Sequence, residues 1–226
     1  MNTGFHDWDG QTMSLYAEQH ELASRVMLRD AYTTPLRTVA GIGVDVENDD
    51  ATNETCIHAS VVVLDAVTMD VLERQEARTS SLMPSDPDLL GFRAVPAMLN
   101  ALGSLSQRPD LAFVVGHGID HPRRLGSASH LGLAADLPCI GIGQDLLVGS
   151  SRLALHEMRG AFTPLRDGKA QVGWLLRSKV GVDPLIVSPG HRVAMASAPG
   201  LVMRYVCQHR LPEPLRLADR HAAFAD

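Results

Sequence analysis

Apolar residues recur at helical spacing through residues 11–30, at Leu15, Leu22, Val26 and Met27 with Gln19 on the same stripe, which predicts an amphipathic helix. Pro35 closes that unit. Residues 38–46 (TVAGIGVDV) read as a strand, with glycines where something approaches the backbone. The polar stretch 47–54, rich in Asn and Asp, predicts a hairpin loop. Residues 57–65 and 71–78 predict two more strands and so an antiparallel meander. A proline-rich loop over 80–88 leads into a helical pattern over 89–105 that Pro96 interrupts. The run LAFVV at 111–115 predicts a buried strand, and Gly116 and Gly118 release the backbone from strand geometry directly after it. Residues 129–135 predict a helix and 137–143 a short buried strand, whereas 153–169 read as irregular and exposed. Two further strands are predicted over 171–177 and 184–188. Pro189, Gly190 and His191 read as a turn into a helix over 193–208, and 212–226 as an extended tail.

A meander followed by alternating helix and strand predicts an α/β domain with a mixed sheet. No internal repeat or linker divides the chain, so one domain is expected over 1–226, with 1–10 and about 220–226 flexible. Its 226 residues are enough to bury a full core, and 45% hydrophobic with 20% charged residues is ordinary globular usage. A net charge of −6 excludes a global basic field; a local basic cleft for nucleic acid stays open. Cys56, Cys139 and Cys207 are far apart and odd in number, which argues against a zinc motif and a secreted disulfide framework. The N-terminal residues do not read as a signal peptide, and no run approaches the ~18 apolar residues of a membrane span. A cytoplasmic protein with no membrane partner, monomeric by default, is expected.

Candidate chemistry concentrates after the predicted strand 111–115, where two histidines and two arginines fall close together. A polar cluster between a strand and a helix is how α/β folds present working groups at a strand's C-terminal end. His117, His121, His130 and His191 each lie in a glycine- or proline-marked turn, and each alone is more simply a group that satisfies loop backbone. Arg123 and Arg124 are suited to hold a phosphate bidentately, or else form a solvated pair at a helix N-terminus. Asp45 closes the glycine-punctuated strand, a position for a carboxylate that binds a hard divalent ion. Glu47, two residues on, shares its face if the strand persists; both equally suit a strand simply ending at solvent.

The block GHGIDHPRRLGSASHLGLAADLPCIGI resembles the central signature of the endonuclease V family, the deoxyinosine 3′ endonucleases. Further blocks agree in order: GVDV at 43–46, MP..P at 83–87, GFR..PA at 91–97, RSK at 177–179, SPGHRV at 188–193 and RLPEPLRLAD at 210–219. The resemblance spans roughly residues 12–220. It implies a ribonuclease H-like fold: a mixed central sheet, first three strands antiparallel, flanked by helices. It also implies Mg²⁺-dependent hydrolysis of a phosphodiester 3′ to a deaminated purine, through carboxylates on the first strand, in the helix after the wedge loop, and at the end of the central strand.

Matched residue by residue, the first carboxylate is Asp45. The second falls in a block that resembles FREYP and here reads FRAVP, with Ala94 at its place. The third precedes the GHG block and is Val115 here; a lysine after the GIG-like strand is replaced by Gln144, followed by Asp145. The wedge that resembles PYIPG reads PSDPD, without its aromatic residue. Departures on working positions with framework blocks intact predict a pseudoenzyme: a degenerate metal site, inactive as a deoxyinosine endonuclease, kept for binding a nucleic acid or nucleotide-like ligand. Asp45, His117, His121 and His191 are the catalytic candidates. Arg93, Gly116, Gly118, Asp120, Arg123, Arg124, His130, Gln144 and Asp145 are the ligand-binding candidates. Asp45 alone would hold Mg²⁺ weakly or not at all, because that ion dehydrates reluctantly. Two alternatives stand beside this: a repurposed enzyme acting on a small molecule through Asp45 and the histidines, the only reading that admits Zn²⁺, and a weak nuclease whose ligands have moved to Glu47, Asp120 or Asp145.

Overall fold

In the computed structural model, which describes residues 11–49, 54–81, 83 and 86–219, the chain is built on one mixed sheet. Its strands are β1 (Thr38–Asp49), β2 (Glu54–Asp65), β3 (Val71–Ser81), β4 (Leu111–Val115), β5 (Cys139–Gly143), β6 (Phe162–Asp167), β7 (Ala170–Leu176) and β8 (Leu185–His191). They lie in the order β3-β2-β1-β4-β5-β8-β7-β6. The first three pair antiparallel, β4 and β5 run parallel to β1, and β8, β7 and β6 return antiparallel. This is the mixed sheet, with its antiparallel first three strands, that the sequence implied. The expected flexibility of 1–10 and 220–226 lies outside the described residues.

Helices α1 (Thr12–Ser24), α2 (Leu90–Gly103), α3 (Ser127–Ala135), α4 (Ala198–Arg204) and α5 (Glu213–Ala218) flank the sheet. One apolar cluster joins Ala40, Ile42, Ala112 and Val114 of the sheet to Ala94, Val95 and Met98 of α2 and Leu131 of α3. A second joins Val39, Phe113 and Ile142 to Val202 of α4, Tyr205, and Leu215 of α5. With both faces covered, the central strand β4 is apolar at every position rather than alternating. No helix of the described residues is long and apolar enough to cross a membrane.

Several elements differ from the sequence reading. Helix α2 runs unbroken through Pro96. A proline inside a helix costs about 3 kcal/mol, and the buried row Phe92, Val95, Met98 and Ala101 offsets it by roughly 1.5–3 kcal/mol for each large side chain. Residues 162–167, expected to be irregular, form β6, joined to β7 by a hairpin in which Gly168 has φ +59°. Pro189 to His191 end β8 instead of making a turn; a register shift between Cys139 and Ile140 of β5 lets the strand accept proline there. The helix expected over 193–208 shrinks to α4, because Asp30 holds the segment before it. The Asp30 carboxylate accepts from the Ala194 N–H at 2.7 Å and from the Ser197 hydroxyl at 2.5 Å.

The expected tail contains α5, whose Leu215 is fully buried. Its backbone lies directly on β1. A Cβ on Gly41 would fall 1.9 Å from the Pro214 carbonyl oxygen, and one on Gly43 would fall 2.5 Å from that of Ala218. The glycines of β1 are therefore the seat of this helix.

Candidate functional site

Beyond β4 the chain turns at Gly116, whose φ of +103° is a conformation that side chains resist. The turn is fixed by its backbone: the Gly116 N–H donates to the Ile142 carbonyl, Ile119 N–H to Pro189, and Gly126 N–H back to Gly118. The loop thus lies against the ends of β5 and β8, and Gly126 passes the chain into α3. Gly118 touches the Pro189 carbonyl so closely that its Cβ would sit 2.4 Å from that oxygen.

Within this loop Asp120 is 1% exposed. One carboxylate oxygen accepts from the Gly118 N–H at 2.8 Å and the other meets His117 Nδ1 at 2.7 Å. The Asp120 N–H donates to Ser188 Oγ at 3.1 Å, and that hydroxyl donates to the Val172 carbonyl at 2.7 Å. The His117–Asp120 pair is therefore anchored through β8 to β7. His117 lines a concavity of about 280 Å³, measured to its open mouth, together with Leu90 and Gly91 of α2, Gly116, His121 and Ser127. His121 is buried, its Nδ1 accepts from the Arg123 N–H at 3.2 Å, and burial pushes its pKa down to about 4. It is a neutral ring at neutral pH.

Other candidates serve the framework. Arg123 pairs with Asp88 at 3.1 Å, donates to the Gln19 side chain and lies 4.0 Å from the centre of the Tyr16 ring, so it ties α1 to the loop. Arg124 donates to the His121 carbonyl and pairs with Asp167 of β6 at 2.5 Å. Arg93 is buried, with one nitrogen 3.5 Å from the Asp86 carbonyl oxygen. His130 is buried in α3, edge-on to Phe92 with ring centres 4.8 Å apart, and burial lowers its pKa to about 4. His191 accepts the Met27 N–H at 3.2 Å and stands 3.7 Å from Asp136. It holds the segment after α1, and the structure does not bring it to the concavity.

The positions tied to a metal are also separated. Asp45 is half-buried on β1 opposite His58 of β2, and exposed Glu47 reaches His58 at 3.5 Å. The β1–β4 ladder pairs Ile42 with Val114, so the next residues along it, Gly43 and Val115, stand level. Asp45 lies two residues, roughly 7 Å, further along β1. Val115 packs against the cluster on the α5 face, while Ala94 is fully buried in the cluster under α2. Gln144 is exposed and its side-chain oxygen accepts from Arg210 at 3.1 Å; Asp145 beside it is exposed too. Among the described residues, no group of three His, Cys, Asp or Glu side chains is placed to hold a metal ion.

The structure adds residues that the sequence did not single out. Leu90, Gly91 and Ser127 complete the concavity, and Ser188 carries Asp120. Ser188 lies within SPGHRV, a block read only as framework; nothing in the chain's pattern signals a contact across so many residues.

The sequence model of the Endonuclease V family matches residues 20–220. A protein named Endonuclease V from Xanthomonas oryzae pv. oryzae is 48% identical over 219 residues, which cover 97% of this chain and 90% of that protein. The crystal structure of the Endonuclease V from Streptomyces avermitilis superposes with a TM-score of 0.83 at 38% identity, over 93% of this chain and 91% of that one. The catalytic domain of human Endonuclease V superposes with a TM-score of 0.79 at 32% identity, over 92% of each chain.

Proposed function

This chain belongs to the endonuclease V family, and from that premise we propose that it is a non-cutting member, kept for binding a nucleic acid or nucleotide-like ligand in the concavity beside His117. The supporting observation is the donor set where β1 and β4 run side by side. Gly43 and Val115 stand level there without a carboxylate, Ala94 offers a methyl group, and Asp45 is displaced along the strand. Mg²⁺ takes oxygen ligands in near-ideal octahedral geometry. A single carboxylate with apolar neighbours does not fit it, and an apolar side chain there disfavours charge. Metal-assisted cleavage loses nucleophile activation and leaving-group stabilisation together when the ion is not held.

The binding half of the reading is supported by what remains. The glycine loop presents backbone donors and acceptors at close range, and His117 and His121 add polar edges to a concavity otherwise lined by Leu90, Leu125 and Leu147. Flat, mostly apolar walls with a few fixed polar groups suit a heteroaromatic base. The geometry counts against the two alternatives. His191 and Asp45 are held away from the concavity by Met27 and the β1–β2 ladder, so the four groups of a repurposed enzyme do not meet. Asp120 is committed to His117 and Gly118, and Glu47 and Asp145 are exposed on other segments, so no set of moved ligands forms.

The test is paired binding and cleavage on the same substrates. Inosine-containing DNA and RNA are expected to bind, with anisotropy of a labelled strand as the readout. Cleavage under excess enzyme with Mg²⁺ or Mn²⁺ is expected to stay at background. Efficient metal-dependent cleavage that disappears in Asp45→Ala would overturn the proposal.

A further inference from the structure

Asp120 gives His117 a fixed polarity. A carboxylate has acceptors only, so the hydrogen in the 2.7 Å contact sits on His117 Nδ1. The other carboxylate oxygen is already occupied by the Gly118 N–H, and the Ser188 bond to the Asp120 N–H holds the backbone beneath it. The carboxylate therefore cannot swing away without leaving two donors unmet in a site that is 1% exposed. With Nδ1 protonated, the neutral ring carries a lone pair on Nε2. That nitrogen has no protein partner among the described residues, and the ring lines the concavity.

Resting on the binding reading above, we infer that Asp120 is a specificity-determining residue: it makes His117 a hydrogen-bond acceptor in the concavity, so the ligand must bring a donor to it. Within a nucleotide the donor has two sources, the ring N–H of a lactam base and the 2′-hydroxyl of ribose. A base with a bare ring nitrogen at that edge would set two lone pairs against each other.

Asp120→Asn inverts the arrangement with little change of shape. The Asn oxygen still accepts from Gly118, which turns its NH₂ toward Nδ1; Nδ1 becomes the acceptor and the ring hydrogen moves to Nε2. The experiment uses labelled oligonucleotides of deoxyuridine, deoxycytidine, uridine and cytidine, equal in length, in anisotropy titrations of wild type and Asp120→Asn. Nitrogen NMR of ¹⁵N-histidine protein reads the tautomer independently.

Wild type is expected to show His117 with its hydrogen on Nδ1. It should bind the uracil strands about tenfold more tightly than the cytosine strands if the base is the donor, a ratio within reach of one matched against one mismatched hydrogen bond. If the sugar is the donor, both ribose strands should bind tighter than both deoxyribose strands. In either case Asp120→Asn should move the hydrogen to Nε2 and abolish or reverse the preference. A wild-type hydrogen on Nε2, a cytosine preference in wild type, or a preference unchanged in a variant whose tautomer has moved would overturn the inference. Equal binding of all four strands by a protein with the Nδ1 tautomer overturns this inference alone, whereas no binding of any strand overturns the binding reading as well.

Discussion

Lowering the pH titrates His121 and His130 against their burial. Both have a pKa pushed down from 6.5 to about 4, mainly because the charged ring would be removed from water. An unfolded chain takes up these protons near 6.5 and the folded protein only near 4. Stability is thus intact above pH 6.5, falls as pH drops from 6.5 toward 4, and levels off below. At pH 4.5 each histidine removes roughly 2.5 kcal/mol, a large share of the ~5–15 kcal/mol that holds a domain together. His130 isolates the effect, since it sits edge-on to Phe92 in α3 away from the arginines of the loop. His130→Phe keeps a flat ring there and cannot be protonated. Urea unfolding at pH 7 establishes that the variant folds, and the same titration at pH 4.5 reads the difference. Wild type should lose roughly 2.5 kcal/mol more than the variant between the two conditions, because carboxylates that titrate in the same range do so in both. Equal losses would refute the assignment of the pH dependence to this buried ring.

Other substitutions probe the seat of α5, the support of Asp120 and the loss of the donor set. Gly41→Ala places a methyl group 1.9 Å from the Pro214 oxygen, so α5 must lift; thermal unfolding should report about 2–5 kcal/mol lost with the burial of Leu215. Ser188→Ala leaves the Asp120 N–H without its partner and is expected to cost about 1–3 kcal/mol in denaturant unfolding. It should weaken oligonucleotide binding as the His117–Asp120 pair loosens. Val115→Asp sets a charge against the apolar cluster beside α5 and should destabilise by about 1–3 kcal/mol. It should still show no Mn²⁺ site by electron paramagnetic resonance, because no second carboxylate stands level with it.

Elements whose apolar residues follow one period were legible in the sequence. LAFVV is uninterrupted because β4 is covered on both faces, and the meander alternates as an antiparallel sheet does. Asp167-Gly168, a hairpin signal, marked the turn that reveals β6, but Pro164 hid the strand before it. Helix α5 is too short, at six residues, for helical periodicity to show, and its place depends on glycines far back in the chain. Within the site, the sequence located the loop and both histidines of the concavity. It did not reveal that Asp120 serves His117, since three residues of irregular loop have no fixed spacing. Nor did it reveal that Asp45 stands beyond the level of Val115, which depends on the offset between two parallel strands.

The glycine seat on β1 also bears on the order of folding. Strands β1 and β2 are neighbours in the chain and zip from a hairpin, whereas α5 closes over Gly41 and Gly43 only after nearly all the intervening chain has been placed. Contacts of such long sequence separation form late, since the loop must be closed before they contribute. A refolding chain therefore passes through a sheet whose β1 groove is bare, and native-state hydrogen exchange should find α5 opening before the β1–β2 ladder.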